Sequence, residues 1–246
     1  MKKLFYSSIL SVFFLMVFSC SSSKDEILEI EEDIIIKDEN VSQHGTFKIL
    51  SLGDSYTIGQ SVCAKCRFPV QLVDSLLIRV DNKSSFPLEI IARTGWTTSN
   101  LISAINSENL TSNYSFVTLL IGVNNQYQNK AFSIFEEEFP ELVKIAIQSV
   151  GGDSKKLIVL SIPDYAFTPF GNGNSTISAE IKKYNDFTQS YCIQNNITFL
   201  NITDITEQGL TNPALVASDG LHPSKEAYAQ FVERLVPIVL EKLGLK

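Results

Sequence analysis

Two residues offer reactive chemistry in this sequence. Ser55 follows Gly53-Asp54 directly after the apolar run 47–52, and His222 lies in Ser218-Asp219-Gly220-Leu221-His222-Pro223. A serine hydroxyl becomes a nucleophile only beside a general base, and the anion formed on attack needs hydrogen-bond donors already in place. His222 is the base within the folded part. The chain's other histidine, His44, falls in a segment read below as a tether. Asp219, three residues before His222, reaches back across a Gly-Leu turn to accept from Nδ1 and turn Nε2 toward Ser55. Three donors are available for an oxyanion: the Ser55 N–H, the Gly95 N–H, which no Cβ shields, and the side-chain amide of Asn124, which carries two N–H groups without charge. Taken singly, Asp219 to His222 is also a capped helix start, and Gly95 and Asn124 are ordinary loop residues.

The elements that must position these groups alternate regularly. Apolar runs predict strands at 47–52, 88–92, 116–121, 157–161 and 197–200. Helical patterns fall at 69–80, 97–105, 132–150, 178–195 and 224–243, with Pro69 in a first turn and Ser178 and Ser224 as N-caps. Short apolar strands alternating with helices predict an α/β fold, a parallel sheet covered on both faces. Ligands gather at the carboxyl ends of such strands. Ser55, Gly95, Asn124 and the Asp219 to His222 loop each follow a different strand, so the topology brings them to one edge.

In this order, Gly53-Asp54-Ser55-Tyr56-Thr57-Ile58-Gly59, the glycine loop at Gly95, Gly122-Val123-Asn124 and Asp219-Gly220-Leu221-His222-Pro223 resemble the SGNH (GDSL) hydrolase family. The resemblance runs from about residue 47 to the C-terminus. It implies a flavodoxin-like three-layer α/β/α sandwich on a five-stranded parallel sheet, and ester hydrolysis through an acyl-serine without metal or cofactor. Ser55, Asp219 and His222 are then the triad, and Ser55, Gly95 and Asn124 the oxyanion hole. One departure is visible: the third block commonly reads Gly-x-Asn-Asp, and here Asn125 stands in place of the aspartate, which touches the hydrogen bonding of that loop. Asp54 is a turn residue in the family, and its own chemistry agrees, since a carboxylate there bonds loop N–H groups.

Aromatic residues near the expected site, Tyr56, Trp96, Phe167 and Phe170, are candidates to bind substrate, as an acyl chain or a sugar ring. Gly171-Asn172-Gly173-Asn174 reads as a flexible segment beside them. No long apolar lid is apparent, which favours small, glycan-linked or lysolipid esters over bulk triglyceride. Deacylation of glycans, lysophospholipid cleavage and thioester cleavage all remain open. A non-catalytic surface glycan-binding protein on the same scaffold is the alternative function. Cys63-Ala64-Lys65-Cys66 reads as a disulfide outside the cytoplasm, whereas a zinc site would need two further ligands. Cys192 falls on a helical pattern and is expected in the core.

With 246 residues, 44% of them apolar, the chain suffices for one well-buried domain. A net charge of -7 without any downstream basic cluster excludes nucleic acid as a partner. Lys2 and Lys3 precede an apolar run ending at Ser19-Cys20, the pattern of a secretory signal. Val17-Phe18-Ser19-Cys20 resembles a bacterial lipobox with Cys20 as the lipidated residue. Removing residues 1–19 takes away Lys2 and Lys3, so the mature charge becomes -7 - 2 = -9. Ser21-Ser22-Ser23-Lys24-Asp25-Glu26 resembles the surface-export signal of Bacteroidetes lipoproteins. Residues 20–45 are then an acidic tether and 46–246 the hydrolase domain. The lipid anchor is the expected membrane contact, placing the protein at the outer membrane on its periplasmic or outer face.

Overall fold

The computed structural model describes residues 44–80, 83–108 and 110–245. The expected signal peptide, the lipidated Cys20 and the tether up to residue 43 lie outside them. The Gly45 carbonyl already accepts the Ser85 N–H at 2.9 Å.

From there the chain forms β1 (Ile49–Gly53), α1 (Ser55–Ile58), α2 (Phe68–Arg79), β2 (Leu88–Ala92), α3 (Thr98–Ser107), β3 (Phe116–Leu120), α4 (Val123–Tyr127) and α5 (Phe132–Ser149). It continues with β4 (Leu157–Leu160), α6 (Ser175–Gln194), β5 (Thr198–Leu200), α7 (Thr203–Thr206) and α8 (Lys225–Leu243). The sheet is parallel throughout, in the order β2-β1-β3-β4-β5. This is the flavodoxin-like doubly wound arrangement, whose chain direction across the sheet reverses between β1 and β3. Helices cover both faces, with α2 packed on α8 and α3 on α5.

Burial explains the strand sequences. Every residue of β1, β3 and β4 is buried, and these strands read as nearly unbroken apolar runs because both faces are covered. The edge strands β2 and β5 are half-buried. The polar exceptions inside the sheet pair with each other: Ser51 is in register with Thr118, whose hydroxyl donates to Ser51 Oγ at 2.9 Å. Beneath the site, Phe135 of α5 stacks on Phe139 at 5.3 Å and meets Tyr184 of α6 at 4.7 Å. Removing such a fully buried ring costs about 3–5 kcal/mol.

Helix boundaries differ from expectation in one instructive place. Ser178 is not the N-cap of α6. Asn174 is, accepting from the N–H groups of Thr176 and Ile177 at 2.9 and 3.4 Å. Ser178 lies one turn inside, where its hydroxyl donates to Asp164 Oδ2 at 2.5 Å. An asparagine is as good a cap as a serine, and the helix starts at the earlier one. Ser224 does cap α8, accepting from Glu226 and Ala227 N–H.

Candidate active site

The Ser55 loop is shaped by crowding. A Cβ on Gly53 would lie 2.2 Å from Thr57 Oγ1 and 2.4 Å from the Leu120 carbonyl, so β1 can end against β3 only with glycine there. Asp54 caps α1, its Oδ1 accepting the Tyr56 N–H at 3.0 Å. Burial raises this carboxyl to about 7, against the lowering effect of its backbone hydrogen bonds. Its Oδ2 has no partner among the described residues. Asp54 is therefore turn architecture, aimed into the fold. Ser55 is the first residue of α1, and its N–H has no intrahelical acceptor.

The histidine loop is closed on itself. Ala217 N–H donates to the His222 carbonyl at 2.7 Å, Ser224 N–H to Leu215 at 2.9 Å, and Val216 bridges Pro223. Within it the Asp219 carboxylate receives four donors. Its Oδ1 accepts from the N–H groups of Leu221 and His222, both at 3.0 Å. Its Oδ2 pairs with His222 Nδ1 at 2.6 Å and accepts the Ser61 hydroxyl at 2.5 Å. Burial alone would raise the Asp219 carboxyl, but hydrogen bonds from the Ser61 side chain, the His222 backbone and imidazole and the Leu221 backbone outweigh it and hold the group well below the carboxylate range. An ionised Asp219 makes Nδ1 the donor and leaves the lone pair on Nε2. The imidazole is only 11% exposed. It is backed by the Tyr56 ring, which meets it edge-on at 5.8 Å.

The remaining loops are tied to each other by amide side chains. Trp96 N–H closes a turn on the Arg93 carbonyl at 3.2 Å, and Gly95, at φ 84, is the turn residue that needs positive φ. A Cβ there would meet open space, so the backbone faces the site unshielded. Gly122, at φ 125, opens α4; a Cβ would strike Phe135 at 2.6 Å, which seats this loop on the aromatic core. Asn124 Nδ2 donates to the Trp96 carbonyl at 3.0 Å, leaving its second N–H for a ligand. Gln128 Nε2 donates to the Gly95 carbonyl at 2.8 Å. Gln126 accepts from the Tyr165 hydroxyl at 2.8 Å and donates to Glu180 at 2.6 Å.

Asn125, the departure noted in the sequence, is fully buried. It accepts the Thr98 N–H at 3.0 Å and donates to Thr98 Oγ1 at 2.6 Å, while the Thr98 hydroxyl donates to Glu138. The amide joins the two loops that carry Gly95 and Asn124.

The expected substrate-binding rings divide. Tyr56 is only 2% exposed; its ring packs edge-on against the imidazole and shares the lining of a small cavity with Leu221 and His222. Trp96 and Phe167 are half-buried. Phe170 is 53% exposed and sits beside Tyr127, 50% exposed, with ring centroids 6.1 Å apart. Tyr127, three positions after Asn124 on α4, carries no sequence signal that marks it out. The 171–174 segment, read as flexible from its composition, is tied to the loop before it. Gly173 N–H bonds Ala166, Asn172 N–H bonds Thr168, and a Cβ on Gly171 would lie 2.0 Å from the Tyr165 carbonyl. Cys63 and Cys66 form a disulfide, and Cys192 is a buried free thiol. The loops of Ser55 and His222 meet through Tyr56 on His222 and Ser61 on Asp219. No hydrogen bond joins the Ser55 hydroxyl to the imidazole among the described residues, a looseness common before substrate binds.

Residues 51–230 match the GDSL-like Lipase/Acylhydrolase family. No curated protein is detectably similar in sequence. Among solved structures, a lipase/acylhydrolase from Enterococcus faecalis superposes with TM-score 0.64 at 21% identity, over 81% of this chain and 98% of its own. LAE5, an alpha/beta hydrolase enzyme from the metagenome of Lake Arreo, Spain, has TM-score 0.61 at 17% identity, over 83% and 98%. A single-site mutant of Axe2, an acetyl-xylooligosaccharide esterase from Geobacillus, has TM-score 0.59 at 17% identity, over 83% and 97%. These likenesses agree on the fold, and with the sequence match over residues 51–230 the chain belongs to the GDSL-like lipase/acylhydrolase family of ester hydrolases.

Proposed function

We propose that the protein is a serine esterase that removes small acyl groups from a carbohydrate or similarly polar alcohol. The observation that carries this reading is the Asp219 carboxylate held by four donors with His222 Nδ1 at 2.6 Å, which leaves Nε2 as a base beside the Ser55 loop. Ser55 Oγ attacks the ester carbonyl as its proton passes to His222 Nε2. The tetrahedral oxyanion is received by the N–H groups of Ser55 and Gly95 and the second N–H of Asn124. His222 returns the proton to the leaving alcohol, and water, deprotonated by the same imidazole, releases the acid from the acyl-serine. Each preorganised oxyanion donor is worth about 3 kcal/mol of transition-state stabilisation.

The exposed Tyr127 and Phe170 rings support a polar, ring-shaped alcohol, because an open aromatic face stacks on a sugar. The Axe2 likeness points the same way for the acyl half, acetyl being small. Hydrolysis of p-nitrophenyl acetate by wild type and Ser55→Ala tests the mechanism, and equal rates would exclude it. Acetylated oligosaccharides, lysolipids and acyl thioesters compared as substrates test the class; the highest kcat/KM on a lysolipid or thioester would overturn the carbohydrate reading. The anchor is part of the same proposal. Cys20→Ala should abolish incorporation of a fatty-acid label and release the protein from the membrane fraction.

A further inference from the structure

Ser61 belongs to none of the motifs, yet it touches the catalytic acid across 158 positions of sequence. Its φ is 65°, a backbone conformation L side chains rarely adopt. Among the described residues, the other non-glycine positions with positive φ are Asn129, Asn172 and Asn196, of a type that tolerates it. Ser61 stands apart, and such outliers persist where the surroundings over-determine them.

Those surroundings run from the nucleophile to the acid. The Ser55 carbonyl accepts from Gly59 and Gln60, both at 3.0 Å, immediately before Ser61. Two residues after Ser61 the chain is closed by the Cys63–Cys66 disulfide. Gln71 Nε2 then donates to the Cys66 and Lys225 carbonyls at 2.5 and 3.1 Å, fastening this segment to the helix that follows His222.

We propose that Ser61 is a positioning residue for catalysis: its hydroxyl orients the Asp219 carboxylate toward His222, and the Cys63–Cys66 loop keeps it there. The inference rests on the reading of Asp219 and His222 as partners of Ser55. The hydroxyl shares Oδ2 with the imidazole, so it fixes that oxygen's direction and draws off part of its charge. Without it the carboxylate rotates more freely and, when aligned, stabilises the imidazolium more strongly. Activity should then need a higher pH, since the base works only when neutral.

The other ionisable groups around the pair include Tyr56 of α1, against the imidazole, Tyr228 of α8, which senses Asp54 and Asp219, and Asp164 and Tyr165, which line the same small cavity as Tyr56 and His222. Burial raises all three phenols and holds them neutral through the working range, and Asp164 is the same in every protein compared. Asp54, raised by burial to about 7, does titrate there, but it is the same in every protein compared.

The test is the pH profile of kcat/KM for p-nitrophenyl acetate in wild type, Ser61→Gly, Ser61→Asn and Cys63→Ser/Cys66→Ser. Glycine removes the hydroxyl while suiting the backbone, so it separates the hydrogen bond from the strain. Ser61→Gly should keep its thermal midpoint, move the acid limb to higher pH and lose about tenfold in kcat/KM at neutral pH, the scale of one hydrogen bond to a charged group. Ser61→Asn, which restores a donor and accepts positive φ, should recover part of the shift. Opening the disulfide should move the limb the same way, with no further movement on adding Ser61→Gly. A Ser61→Gly limb that coincides with wild type overturns the proposal, and additive shifts overturn the role of the disulfide. Loss of activity in Ser55→Ala separates either failure from a failure of the serine mechanism itself.

Discussion

Restoring the family's usual aspartate at position 125 should harm this protein. In the native loop donors and acceptors match: Thr98 donates its N–H to Asn125 Oδ1 and its hydroxyl to Glu138, and accepts from Asn125 Nδ2 at 2.6 Å. Asn125→Asp replaces that last donor with an anionic oxygen facing Thr98 Oγ1. One hydroxyl proton must then serve two carboxylates, and position 125 is fully buried. A buried acceptor left without a donor costs about 1–3 kcal/mol, and more when charged. Glu138 is half-buried and partly relieved by water and by the Ser99 hydroxyl at 2.6 Å, so we expect about 2 kcal/mol at neutral pH. For a domain of this size that lowers Tm by roughly 4–8 °C. The sign with pH follows from linkage. Burial and Glu138 would raise the introduced carboxyl in the folded state above its unfolded value. Stability is then intact below the unfolded value and lost as pH rises through the folded one, so the deficit against wild type shrinks in acid. Glu138→Gln in the Asn125→Asp background should recover part of the loss, by a coupling of about 1 kcal/mol. Thermal unfolding of wild type, the two single variants and the double variant at pH 7.5 and pH 5 measures all of this. Equal Tm values for Asn125→Asp and wild type at pH 7.5, or a deficit that does not change at pH 5, would refute the reasoning.

Further outcomes follow from the same geometry. Asn124→Ala removes one of the proposed oxyanion donors and should lower kcat about a hundredfold or more with little change in KM, measured by steady-state kinetics. Gly53→Ala drives a Cβ to 2.4 Å from the Leu120 backbone carbonyl, and should cost about 3 kcal/mol or more by urea unfolding. Asp54 is raised to about 7 by burial, so its contribution is whole in acid and declines as pH rises through neutrality. Wild-type Tm should therefore carry a downward component between pH 5 and pH 8. Asp54→Asn, which keeps an acceptor for the Tyr56 N–H, should flatten that component.

The architecture was legible in the linear chain because its signals are local. Strands buried on both faces must be apolar along their whole length, as β1, β3 and β4 are, and alternation with helices then leaves a parallel sheet as the arrangement. Asp54 and the Cys63–Cys66 pair were likewise readable, each constrained by a neighbour two or three positions away. Helix ends were less so: Asn174 and Ser178 are both competent caps, and only the meeting of Ser178 with Asp164 decided between them. Tyr56 was legible as part of the Ser55 loop, but its burial against His222 is a contact only the closed loops create. Ser61 on Asp219 and Glu138 beneath Thr98 had no signature at all. Their roles arise from contacts across 158 and 40 positions, and a polar residue in a loop or on a helix face has the same local pattern whether or not such a partner exists. Periodicity and turn chemistry report what a residue requires of its neighbours in the chain; which distant carboxylate a hydroxyl will hold is settled only when the loops close over the sheet edge.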